Sequence, residues 1–264
     1  MRGNRGFSLI ELAIVIGIVG LLLGAILVPL ATQLKLSKVR DTQARLGEVR
    51  EALVGYALRN GRLPCPEDPA TVPTGVEGPR SGAPLVCDFP EGILPWLELN
   101  VAPDDAWGRH VYYRPGREFT ASQLDNCNPG ITDRLDLCDR GDALIQTRVD
   151  DPATSAVREK TLGVVVDRPA AVILSFGPNG YGARSYGGDV VPVPAGVGGD
   201  EVVNYTIEGA TPELFRTRTF FETDNANCDD ADDTESFCPF DDVVTWLPAT
   251  TLINRMAKVG LLPP

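Results

Sequence analysis

Gly6-Phe7-Ser8-Leu9-Ile10-Glu11-Leu12-Ala13-Ile14-Val15-Ile16-Gly17-Ile18-Val19-Gly20-Leu21-Leu22 is the stretch on which the reading of this chain turns. It opens a run, Leu12 to Leu34, in which none of 23 residues is charged. As an α-helix that run would extend about 35 Å, enough to cross a hydrocarbon core of ~30 Å. A secretory signal peptide has a shorter apolar region of about 7–15 residues and a small-residue cleavage site after it; Ala31 serves such a site poorly. An ordinary single-pass anchor fits the length but leaves Glu11 unexplained. A carboxylate inside hydrocarbon is costly unless paired, which makes Glu11 a functional candidate. At the interface it would instead cap the first helical turn, where the dipole favours negative charge.

The helical pattern continues beyond the apolar run. Val39, Leu46, Val49, Leu53 and Tyr56 recur at spacings of three, four and seven, an amphipathic stripe. Asp41 with Arg45, and Glu48 with a neighbouring Arg, offer surface pairs of small value. Asn60-Gly61 with Pro64 just beyond marks the stop, and Pro29 should kink or loosen the middle. Residues 7–60 would then form a helix of about 80 Å, apolar all round in its first half and one-sided in its second.

The rest of the chain has a different composition. Of 264 residues, 22 are Pro and 27 Gly, and aromatics make up only 7%, which favours a loop-rich fold with short strands over a helical bundle. The formal charge of −12 speaks against a nucleic-acid partner, because phosphate binding needs basic patches. The six cysteines, Cys65, Cys87, Cys127, Cys138, Cys228 and Cys238, contain no CxxC, which leaves zinc and thioredoxin-type readings without support. Behind a hydrophobic export signal they read as disulfides in an oxidising compartment. Sequential pairing is the preferred one of about 15 connectivities, with free buried thiols the alternative for some.

Gly6-Phe7-Ser8-Leu9-Ile10-Glu11-Leu12, behind a short basic leader with Arg2 and Arg5, resembles the processing motif of type IV prepilins and type II secretion pseudopilins. The resemblance implies cleavage between Gly6 and Phe7 by a prepilin peptidase and methylation of the new amine of Phe7. It also implies pairing of Glu11 with the amino terminus of a neighbouring subunit. Each of those charges is costly alone in lipid, so docking two subunits would satisfy both and fix register. The domain organisation that follows is a leader at 1–6, a transmembrane and assembly helix at 7–34, its amphipathic continuation at 35–60 and a globular domain at 61–264. Lys35, Lys38, Arg40 and Arg45 follow the apolar run and outnumber Arg2 and Arg5 before it. This opposes the positive-inside rule, so an inner-membrane orientation with a cytoplasmic amino terminus and a periplasmic globular domain rests on the motif alone.

From Gly61 onward, short apolar runs alternate with Pro and Gly turns. Val111–Tyr113, Leu162–Val166, Ala171–Phe176, Val190–Val193 and Val202–Ile207 read as strands. The expected fold is therefore α+β, with the long helix packed on a small antiparallel sheet and long disulfide-clipped loops. Residues 61–110 read as an irregular connector closed by Cys65 and Cys87. Leu252–Leu262 reads as a short final helix with Leu252, Met256 and Val259 inward.

Four stretches carry a second resemblance. Gly61-Arg62-Leu63-Pro64, Asp105-Ala106-Trp107-Gly108-Arg109, Ser175-Phe176-Gly177-Pro178-Asn179-Gly180 and Asp241-Asp242-Val243-Val244-Thr245-Trp246 occur in this order. Together they are similar to the globular domain of the major pseudopilin of type II secretion systems. Ala106 and Pro178-Asn179 depart from that pattern, and long extra stretches occupy roughly 117–167 and 184–240. The resemblance implies calcium in the loop ending at Asp241 and Asp242, with Asp230 and Asp233 as candidate partners and Cys228 and Cys238 clipping the loop. Clustered carboxylates repel, and a hard cation relieves this; a solvated acidic loop is the alternative.

No GxSxG, P-loop lysine or HExxH is present, and the only histidine is His110, which disfavours His-dependent catalysis. The chain is read as a non-enzymatic structural subunit of a type II secretion pseudopilus or type IV pilus. Its size points to a minor or specialised subunit, with a ligand-binding or adhesive tip pilin as the alternative. The expected partners are the prepilin peptidase, other pilin or pseudopilin subunits, an inner-membrane assembly platform and the lipid bilayer.

Overall fold

The computed structural model describes residues 8–69, 71–82, 85–120, 141–151, 159–185, 187–194, 199–205, 213–221, 228–232 and 235–261. Side chains are described for these except at 23–31, 149–151, 159–161 and 213. The chain divides into two compact units, Met1–Asp41 and Thr42–Pro264. In order, the elements are α1 (Leu9–Asn60), β1 (Arg80–Ser81), β2 (Val86–Cys87), β3 (Gly92–Ile93), α2 (Trp96–Leu99), β4 (Tyr112–Pro115) and α3 (Arg117–Thr120). Then follow β5 (Ala143–Asp151), β6 (Glu159–Asp167), β7 (Ala171–Ser175), α4 (Asp200–Tyr205), β8 (Glu213–Arg216), β9 (Val243–Leu247) and α5 (Ala249–Lys258).

In the first unit the backbone stays helical through Pro29, and every residue from Ser8 to Leu22 is exposed. Among the described residues no helix is long and apolar enough to cross a membrane. The span expected at Leu12–Leu34 runs through residues 23–31, whose side chains lie outside the description.

In the second unit the one-sided stripe of α1 buries Leu46, Val49, Leu53 and Tyr56. Leu46, Val49 and Leu53 share a core with Leu63, Leu94, Tyr113, Ile173, Leu247, Leu252 and Met256. The helix stops where the sequence says it should. Gly61 takes φ 71°, a left-handed conformation that glycine adopts freely, and its N–H donates to Ala57 O at 2.8 Å. Just beyond, Glu77 accepts from Tyr56 Oη at 2.8 Å, from Cys65 N at 2.8 Å and from both terminal nitrogens of Arg62. The Cys65–Cys87 disulfide closes the same connector. Burial, and then the bond to Glu77, push the Tyr56 hydroxyl up to about 12. Arg45 spans the unit to donate to the carbonyls of Asp104 and Asp105, both at 2.8 Å, and is not confined to a pair along its own helix.

The main sheet is antiparallel in the order β3-β4-β7-β9. All five residues of β7 are buried, as a central strand covered on both faces requires. Side chains alternate between faces: Ile173 joins the α1 core, while Val172 packs with Ala143, Ile145 and Phe215. The last three belong to a second sheet, β6-β5-β8, which pairs β5 with β8 in parallel. The architecture is thus α+β with more than one sheet.

Three expectations need correction. Val202–Tyr205, the described part of the stretch read as a strand at Val202–Ile207, is helical: α4 covers Asp200–Tyr205, and the Asp230 carboxylate accepts from Asp200 N at 2.7 Å and caps the segment, while residues 206 and 207 lie outside the described residues. Among the described residues, Val190–Val193 makes only an isolated bridge from Val190 to Arg184. Finally, Val259 is 59% exposed. The helix has ended there, and Leu261 returns to Met256 O and the core in its place.

Candidate functional site

Three of the sequence stretches singled out above meet at the end of β7. Because β7 and β9 pair with Ser175 opposite Val243, the turn after Ser175 lies against Asp241 and Asp242. Gly177, Gly180 and Gly182 all have positive φ. At Gly177 a Cβ would stand 2.2 Å from Asp241 O, so only glycine allows this approach. Asn179 N donates to Asp241 Oδ2 at 2.9 Å, and Asn179 Nδ2 donates to Glu201 Oε1.

The turn is gripped from outside by Arg109. Its guanidinium donates to the carbonyls of Gly177, Pro178 (2.8 Å) and Asn179 (3.2 Å). Arg109 is itself placed by Asp105, whose Oδ1 accepts from Trp107 N and Arg109 N, and whose Oδ2 accepts from Ser175 Oγ at 2.6 Å. The buried Asp105 therefore organises a loop, with both carboxylate oxygens hydrogen-bonded. His110, beside it, stacks on Trp96 at 4.8 Å and places Nδ1 3.0 Å from Asp104 Oδ1.

From the other side α4 contributes Glu201 and Asn204. Asn204 Nδ2 donates to Asp242 Oδ2 at 2.7 Å and to Arg216 O at 3.0 Å, and its Oδ1 accepts from Arg216 N. The result is a buried set of three carboxylates, Glu201, Asp241 and Asp242, with one oxygen of each within 4.8 Å of the others. Burial drives Asp242 well above the usual carboxylate range; the charges of Glu201 and Asp241 add to this, and Asn204 opposes it. Glu201 is also raised by burial, against the hydrogen bonds from Asn179 and with Asp241.

The second oxygen of Asp242 is buried and makes no hydrogen bond among the described residues. A buried acceptor left in that state is expensive. Three hard oxygen ligands with this spacing suit calcium, since two ligands of one calcium, each ~2.3–2.6 Å from it, can lie that far apart.

At the other end of the chain, Ser8 and Glu11 close the start of α1. Ser8 Oγ accepts from Glu11 N at 3.2 Å, and the Glu11 carboxylate accepts from Ser8 N at 3.5 Å. Ser8 O accepts from Glu11 N and Leu12 N, both at 3.1 Å. This is the reciprocal capping box that Ser-x-x-Glu encodes. From there to Leu22 the helix presents apolar side chains to all sides, Leu9 at 88% and Leu21 at 75% exposure. Such a surface has no place in water without a partner or a lipid phase.

Residues 1–27 match the family model described as "Prokaryotic N-terminal methylation motif". The chain carries an N-terminal methylation motif. No curated protein and no solved structure matches it. The methylation motif supports a processed subunit of type IV pilin-like or pseudopilin kind, and it implies cleavage by a prepilin peptidase and assembly with other pilin subunits.

Within that motif Glu11 lies in the capping box, whereas Gly6 and Phe7 lie outside the described residues. Of the acidic residues read as calcium ligands, Asp241 and Asp242 come together. Asp230 stands apart from them, accepting from Arg218 Nη1 at 2.8 Å and Cys238 N at 2.9 Å, and Asp233 lies outside the described residues. Cys65–Cys87 and Cys228–Cys238 are disulfides; Cys127 and Cys138 lie outside the described residues. Glu201 was missed. Its signal was present in Gly199-Asp200-Glu201, a glycine followed by two acidic residues, which favours the first turn of a helix over a strand.

Proposed function

We propose that this chain is a membrane-inserted subunit that polymerises through its amino-terminal helix into a type II secretion pseudopilus or a type IV pilus. The observation that carries this reading is the methylation motif at residues 1–27, on a helix whose first turns are capped by Ser8 and Glu11 and apolar all round. After cleavage between Gly6 and Phe7, the amine of Phe7 would immediately precede the Ser8 cap. The carboxylate of Glu11 would then be the acceptor for the amine of a neighbouring subunit. Exchanging the Ser8 contact for an ionised partner favours assembly most where no water competes. The amino terminus lies in the cytoplasm and the globular domain in the periplasm. The inserts around 117–167 and 184–240 suit a minor or specialised subunit better than a shaft subunit.

The acidic set is read as a calcium site built from Glu201, Asp241 and Asp242. The support is the unpaired, buried Asp242 oxygen inside a cage of hard ligands.

Glu11→Ala tests the assembly reading. The variant inserts into the inner membrane like the wild type but is absent from sheared fibres. Equal recovery of variant and wild type in the fibre fraction would sink the pairing role.

A further inference from the structure

Glu201 lies in the first turn of α4, and part of what holds that turn is a loop distant in sequence. The Cys228–Cys238 disulfide closes a short loop around Asp230, which is buried. One oxygen of Asp230 accepts from Cys238 N at 2.9 Å and from Arg218 Nη1 at 2.8 Å; the other accepts from Asp200 N at 2.7 Å. Arg218 closes the circuit. It donates to Cys238 O, lies 3.3 Å from Asp200 Oδ2 and sits over the rings of Phe237 and Phe240 at 4.7 and 5.2 Å.

The residue before Asp200 shows how tightly the two segments are joined. Gly199 has φ 91°, and a Cβ there would stand 2.4 Å from Asp230 Oδ2 and 3.0 Å from Cys238 Cβ. Only glycine supplies both the backbone conformation and the clearance. The Asp200 side chain is meanwhile tied to Arg148 at 3.1 Å and Arg216 at 3.3 Å. Residues 199–201 thus have one available position, set by the disulfide loop on one side and the arginines on the other.

We infer that Asp230, clipped by the Cys228–Cys238 disulfide, is the positioning residue that sets Glu201 against Asp241 and Asp242 and so fixes the cation affinity of this set. Asp230 is not itself a ligand in this arrangement. The inference rests on the cation reading above and adds to it which distant residues make the site. Removing such an outer-shell partner leaves the ligands in the chain and lets one of them swing out, with water taking its place.

The test uses the full chain in detergent micelles. Calcium affinity is measured by calorimetric titration, and luminescence lifetimes of bound Tb³⁺ in H₂O and D₂O count the waters on the ion. Asp230→Asn and Cys228→Ser/Cys238→Ser weaken calcium about 10- to 100-fold. They also add about one water to bound Tb³⁺, as Glu201 leaves an oxygen-ligand shell. Asp230→Glu, which keeps the carboxylate, recovers part of the affinity. A merely stabilising role would lower the unfolding temperature without changing the water count. Should Asp230→Asn not fold, Gly199→Ala, which crowds the same contact, carries the same expectation. Wild-type affinity and water count in these variants would overturn the positioning role. A wild-type protein that binds neither Ca²⁺ nor Tb³⁺ would overturn the cation reading, and this inference with it.

Discussion

Glu11 and Asp242 are both carboxylates, and the chain treats them in opposite ways. Glu11 is exposed, and its partner Ser8 is three residues away on the same turn. Asp242 is buried, and its neighbours come from α4, through Glu201 and Asn204, and from Asp241 beside it, which in turn meets the turn after β7. The first arrangement is written into four consecutive residues. The second exists only once two sheets and a short helix have assembled. A carboxylate in a local motif announces itself in sequence, whereas a carboxylate in a tertiary cage does not.

The largest test of that contrast replaces Asp242. Without metal at neutral pH, Asp242→Asn removes a buried ionisable group while keeping an acceptor for Asn204. The variant should unfold at a higher temperature than the wild type, by the equivalent of about 1–3 kcal/mol. In saturating calcium the order reverses, because only the wild type retains the third carboxylate charge in the set. Thermal unfolding in chelator and in calcium reads both arms. A variant less stable than wild type in chelator would mean that Asp242 is already satisfied.

Next in size is Arg109→Ala, which frees three carbonyls of the turn that carries Asn179. Hydrogen bonds to a charged group in a partly buried place contribute about 1.5–3 kcal/mol, so the loss in denaturant unfolding is about 2 kcal/mol. No loss would mean that the turn holds itself.

The pH dependence sharpens the contrast further. Asp242 and Glu201 have folded values raised above their ordinary 3.8 and 4.5. Their contribution to stability is therefore fully present below about pH 4 and is lost as pH rises through the folded values. Glu77 works the other way. Burial pushes it up, but bonds from Arg62, Cys65 N and Tyr56 outweigh this and lower it, so its contribution is lost as pH falls. Metal-free Asp242→Asn should therefore gain less from mild acid than the wild type does, measured by unfolding temperature between pH 4 and 7. Identical slopes would contradict the shift assigned to Asp242.

Much of the fold was readable because it is periodic or punctuated. The stripe Leu46, Val49, Leu53 and Tyr56 gave the buried face of α1, and Asn60-Gly61 gave its end. Ala171–Phe176, apolar but for Ser175, gave the central strand. The candidate site was readable only in part. Asp241 and Asp242 stand together with Glu201, which the sequence did not single out, whereas Asp230 and its neighbours looked equivalent as a run of acidic residues. What separates them is Arg218, about a dozen residues earlier, and burial that no local pattern encodes. The strand pattern that begins at Val202 misled over its described part, Val202–Tyr205, for a related reason. Val202 and Val203 carry β propensity, yet the cap from Asp230 decides the conformation, and that contact spans 30 positions.

The smallest effect lies at Ser8. Ser8→Ala removes half of the capping box at a cost of about 1 kcal/mol, confined to the first turn. Hydrogen exchange should show faster amides at Glu11 and Leu12 and no change in the globular unit. Unchanged exchange there would mean that the cap contributes nothing to the helix start.

The central claim, that this is a processed subunit built to polymerise, is tested most directly by the intact mass of the protein purified from membranes with and without the prepilin peptidase. The account predicts loss of residues 1–6 and gain of one methyl group on Phe7 only when the peptidase is present. An unprocessed chain in both strains, or cleavage near Ala31, would contradict it.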